Sequence, residues 1–65
     1  MECFTSERFF HVLQSKIERG NSLEEAYRAV YVMIMNKYKQ NKEYMDKNTI
    51  NLNQAFRMIQ VELNQ

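Results

Sequence analysis

Apolar residues along this chain recur mostly every three or four positions, the repeat of an amphipathic helix. Phe9, Leu13 and Ile17 fall at i, i+4 and i+8, and Phe10 widens that stripe. Lys16, Glu18 and Arg19 take the other side. The spacing predicts a first helix over about 6–19, with Thr5 as its N-cap and Phe4 folding back onto the stripe. Gly20 suits the left-handed residue that ends a helix, and Arg19 suits the negative end of the helix dipole. Ser22-Leu23-Glu24-Glu25 then reads as a capping box.

The second helix therefore starts at Leu23. Leu23, Ala26, Tyr27, Val30, Met33, Ile34 and Tyr38 form one expected buried face. Glu24–Arg28 and Glu43–Lys47 are acid-before-base pairs at i, i+4, which favours helix on both sides of Tyr38. On that ground the second helix is expected to run on to about residue 45, as a long central element. Asp46, Asn48 and Thr49 supply the expected break. A third helix is expected over 51–64, capped near Asn51 with Ile50 stapled onto its first turn. Leu52, Ala55, Phe56, Ile59 and Leu63 would face the core, with Asn53, Arg57, Gln60 and Asn64 opposite.

One segment breaks the two-sided pattern. Ala29 to Met35 is seven apolar residues in a row. At 100° per residue, seven positions point in every direction around a helix, so this segment has no polar side. A strand would need a partner strand for its backbone hydrogen bonds, and no other segment offers one. The reading is thus a helix whose surplus face, Tyr31, Val32 and Met35, is left outside by its own chain. Each fully buriable side chain left wet forgoes roughly 1.5–3 kcal/mol. The expected interface set is Tyr27, Tyr31, Val32, Met35 and Tyr38. The expected cover is a second copy in a helical homodimer or a partner protein. Lys37, Gln40 and Asn41 interrupt the heptads a long coiled coil would need.

Composition narrows the class. With 65 residues the chain is one small all-α domain of three helices, and its core alone gives limited stability. One cysteine excludes an internal disulfide, and one cysteine with one histidine makes an all-protein zinc cage implausible. No proline and a single glycine argue against a turn-rich β fold and against a phosphate-cradling loop. No cofactor is expected. Glu2, Glu7 and Arg8 interrupt the apolar run of a secretory signal, and no stretch approaches the roughly 20 apolar residues of a membrane span. The expected compartment is the cytoplasm, with no membrane contact.

Candidate chemistry is sparse. Glu7 and His11 are four apart and could hydrogen-bond, but nothing in the sequence completes a general acid–base site around them. Cys3 reads as an idle thiol. Nine Lys and Arg against eight Asp and Glu leave a net charge of +1. Lys37, Lys39, Lys42 and Lys47 cluster around Tyr38 and Tyr44, a mixture able to grip single-stranded nucleic acid. Glu43 and Asp46 dilute that segment to +2. A helix-turn-helix reading would aim Glu24 and Glu25 at phosphates, the wrong sign for a recognition helix. The expectation is a non-enzymatic interaction protein, a small regulator or inhibitor of the size that phages and mobile elements carry. Nucleic-acid binding through the four lysines is the alternative.

Overall fold

The computed structural model describes residues 4–65, so Cys3 lies outside the described residues. Three helices follow in order: α1 (Ser6–Glu18), α2 (Leu23–Tyr38) and α3 (Lys42–Leu63). There is no strand among the described residues. The first two boundaries lie where local chemistry puts them. The Thr5 side chain accepts from the Arg8 N–H at 3.1 Å and opens α1. Gly20, at φ +105°, closes it. The Gly20 N–H donates to the Ile17 carbonyl at 2.9 Å and the Asn21 N–H to the Lys16 carbonyl at 3.1 Å, the paired bonds of a Schellman ending. Ser22 and Glu25 complete their capping box at 2.8 and 3.1 Å.

The next boundary corrects the sequence reading. α2 stops at Tyr38 rather than running to residue 45, and α3 starts at Lys42 rather than Asn51. The longest helix is thus the last, with 22 residues, not the central one, with 16. Asn41 decides this. Its backbone is extended, its side chain accepts from the Tyr44 N–H at 3.3 Å, and its own N–H donates to the Tyr38 carbonyl at 2.8 Å. The expected break at Asp46, Asn48 and Thr49 is continuous helix. Thr49 Oγ1 donates back to the Met45 carbonyl at 2.8 Å, and Asn48 turns into the core. Asn51 sits inside α3, and Ile50 is exposed instead of stapled.

A helix of 22 residues is about 33 Å long, so α3 nearly spans the 37 Å long axis of the molecule. α1 and α2 pack on α3 more extensively than on each other. The core is Phe9 and Leu13 from α1, Ala26, Val30, Ile34 and Tyr38 from α2, and Leu52, Ala55 and Ile59 from α3. In α2 these recur every fourth residue, a narrow stripe that fits the groove between two neighbours. Ile17, Leu23 and Tyr27 close its edges half-buried. Met33 and Leu63, expected inside, are exposed, because the neighbouring helices leave their sides of α2 and α3 uncovered.

The chain ahead of α1 is bound to α3 by side-chain amides. The Phe4 N–H donates to Asn48 Oδ1 at 3.0 Å, and Asn51 Nδ2 donates to the Phe4 carbonyl at 2.8 Å. Ser6 Oγ donates to Gln54 Oε1. Residues 48, 51 and 54 are three apart, so the amides climb one side of α3. With the backbone so held, the Phe4 ring lies 5.4 Å from Phe9, folded back as expected.

Candidate interaction surface

α2 presents its uncovered side between two polar ends. Val32, Met33 and Met35 are 47%, 57% and 44% exposed, and Ala29 and Asn36 beside them are exposed as well. The core stripe of α2 faces the opposite way. Arg28 and Glu25 precede the apolar stretch and Lys39 follows it, all exposed.

The five side chains expected at an interface divide among three surroundings. Val32 and Met35 stand outside. Tyr27 and Tyr31 line the seam between α2 and α3: their rings stack at 6.1 Å, and Tyr27 meets Phe56 edge-on at 5.0 Å. The Tyr27 hydroxyl donates to Asn53 Oδ1 at 2.7 Å. Burial, and then the neighbouring Tyr31 phenol, raise the Tyr27 pKa above the ordinary tyrosine value. Tyr38 is in the core, its ring stacked on Tyr44 at 5.9 Å. Met33, expected on the buried face, is exposed at the edge of α2 that looks toward α1. Its position in the periodic stripe concealed this, because periodicity marks a face but not how far a neighbour reaches across it.

A small apolar cleft opens beside this face, between α1 and α2. Phe4, Phe9, Val12, Val30 and Met33 line it, with Lys37 at the rim. Its volume of about 100 Å³ is room for one side chain, well below the roughly 300–1,000 Å³ of sites that enclose a metabolite.

The lysines expected to touch nucleic acid stand in different surroundings. Lys37 lies 5.9 Å above the Phe4 ring and 5.6 Å above Tyr38. Arg8 stands 5.1 Å from the same Phe4 ring. Arg8 thus joins the cationic corner, a position that follows from the amide clamp on Phe4 rather than from any local pattern. Lys39 and Lys42 flank the α2–α3 turn in solvent. Lys47 is paired with Glu43 at 3.5 Å, which cancels its charge locally.

Glu7 and His11 are 3.9 Å apart, beyond hydrogen-bond distance, and both side chains are open to water. Among the described residues no group of three or more His, Cys, Asp or Glu side chains is placed to hold a metal ion. No helix among them is long and apolar enough to cross a membrane. No protein-family model matches the chain, and no curated protein or solved structure shows significant similarity to it.

Proposed function

We propose that this chain is a small, non-enzymatic protein-interaction module, a cytoplasmic regulator or inhibitor that works by occupying a protein surface with the outer face of α2. One observation carries the reading: Val32 and Met35 stand about half exposed on one side of α2, between charged ends, with exposed Met33 at its edge toward α1, on a helix whose opposite side is packed. An apolar patch rimmed by charge is the form of a protein-docking surface, since burying it gains what the isolated chain forgoes. Methionines add adaptability, because their unbranched thioethers refit to irregular surfaces.

The test is a photo-crosslinking residue placed at position 32 and, as a control, at exposed Glu18 on α1. In cells making the protein, position 32 is expected to give discrete protein adducts that position 18 does not. Equal or absent labelling at the two positions removes the assignment.

A nucleic-acid contact is the second reading. It is favoured by Lys39 and Lys42, exposed beside half-buried Tyr44 at the α2–α3 turn. Labelled single strands that bind tightly at low salt and are released steeply as salt rises would select it.

A further inference from the structure

Glu25, Val32 and Lys39 are seven residues apart. Seven residues fall only about 20° short of two full helical turns, so the three lie along one line on α2 and its C-cap residue Lys39, whose backbone keeps the helical conformation. All three are exposed. Ala29 and Asn36 border the line on one side, Arg28 and Met35 on the other, again all exposed. The stripe is therefore acidic at one end, apolar in the middle and basic at the other end, with Val32 at its centre.

Such a stripe complements itself in one orientation only. We propose that the occupant of the α2 outer face is the same face of a second copy, packed antiparallel about a two-fold axis beside Val32, with Glu25 of each copy against Lys39 of the other. This rests on the docking reading above and names its partner. The two-fold keeps each flank of the stripe on its own side, so Ala29 meets Asn36 of the other copy, and Arg28 meets Met35, its alkyl stem lying along the thioether. A parallel pairing would set Glu25 on Glu25 and Lys39 on Lys39, so like charges select against it. A two-fold also buries one patch with its own image, the commonest closed arrangement for a small soluble chain.

Glu25 is a carboxylate at neutral pH, because the Ser22 backbone N–H, its hydroxyl contact and nearby Arg28 all hold its pKa down. Arg28 on the same helix shares in neutralising it, so the cross-copy pair with Lys39 sets orientation more than strength. The contact runs about 21 Å along the helix, fourteen residues at 1.5 Å each. That is short for a permanent dimer and fits a concentration-dependent one.

The test is sedimentation of the full chain from micromolar to millimolar concentration at low salt, for the parent, Glu25→Lys, Lys39→Glu and the two changes together. The parent is expected to approach twice the chain mass. Each single reversal is expected to weaken the dimer roughly tenfold, as two symmetric pairs turn repulsive. The combined reversal should return to within about twofold of the parent, because it recreates both pairs with the signs exchanged. Circular dichroism checks that each variant keeps its helices, since Glu25→Lys also removes half of the capping box. An independent variant spares the cap: Val32→Cys in a Cys3→Ser background is expected to form a disulfide-linked dimer under oxidised glutathione, and Glu18→Cys in the same background is not.

A combined reversal no tighter than either single one, or absent linkage at position 32, overturns the antiparallel register. A parent that stays monomeric at millimolar concentration overturns the second copy as occupant. If position-32 photo-adducts then carry a mass other than twice the chain, the docking face stands with a different partner. If there are no adducts, both readings fall.

Discussion

Asn48 holds Phe4 by its backbone. The asparagine is 1% exposed, its Oδ1 accepts from the Phe4 N–H at 3.0 Å, and its Nδ2 donates to the Tyr44 carbonyl at 2.8 Å. Among the described residues no buried side-chain nitrogen or oxygen lacks a partner, so this inward-turned amide carries no unmet polar cost. The contact joins positions 44 residues apart and decides how the chain ahead of α1 lies on α3.

Asn48→Ala removes both bonds and leaves a void. It should cost about 2–3 kcal/mol in urea denaturation. Asn48→Asp tests the polarity. A buried carboxylate accepts from Phe4 but repels the Tyr44 carbonyl, so burial should raise its pKa in the folded state. With the folded value above the unfolded one, the variant is weakest at neutral pH. It recovers as pH falls and the protonated carboxyl regains a donor. Parallel stability curves over pH for the Asn48→Asp variant and the parent would contradict this.

Ser22→Ala should cost about 1 kcal/mol through loss of the α2 cap, read as a lower thermal midpoint. The cap also gives stability a pH dependence. The Glu25 pKa lies below its unfolded value, chiefly through the Ser22 backbone N–H. The contribution is therefore complete above the ordinary carboxylate range and is lost as pH falls through the folded value. Glu25→Gln should show a shallower acid loss than the parent between neutral pH and about pH 3.

At the alkaline end the sign reverses. Tyr27 has its pKa raised by burial and then by Tyr31. Its contribution is present below the unfolded phenol value of about 10 and fades as pH rises through the folded value. Tyr27 should ionise above the ordinary phenol range in an ultraviolet phenolate titration, and Tyr27→Phe should remove that step. The same variant should cost about 0.5–1 kcal/mol at neutral pH through loss of the bond to Asn53.

Tyr31 and Met35 should respond differently to lysine, although the sequence pattern treats them alike. Tyr31 is half-buried and stacked on Tyr27, so Tyr31→Lys should cost about 1 kcal/mol in dilute thermal melts. Met35 is exposed, and Met35→Lys should stay within about 0.5 kcal/mol of the parent while weakening whatever association the α2 face supports. A destabilised Met35→Lys monomer would mean that this side chain belongs to the core.

Where a helix end is written in adjacent residues, it was legible. Thr5 opens α1, Gly20 closes it, and Ser22 with Glu25 opens α2, all through bonds spanning a few residues. The α2–α3 turn was not legible. Asn41 and the pair Asn48–Thr49 are both credible stops by residue type. Asn48 is spared that role because the Phe4 N–H arrives from the far end of the chain to satisfy it. The unbroken apolar run from Ala29 to Met35 did announce a surplus face. It could not say which of its members neighbours would cover: Met33, expected on the buried face, is exposed, and of the two faces expected for Tyr38 it takes the buried one.

The order of residues alone determined an all-α chain of three segments, the caps before Leu23 and the excess of apolar side chains on α2, because periodicity and capping act within a turn or two. Only packing decided that α3 is the long platform, that Asn48 is buried, and that the outward side of α2 carries Val32 and Met35 between Glu25 and Lys39. Those outcomes depend on which distant group reaches a given side chain, and that distance is set when the helices meet.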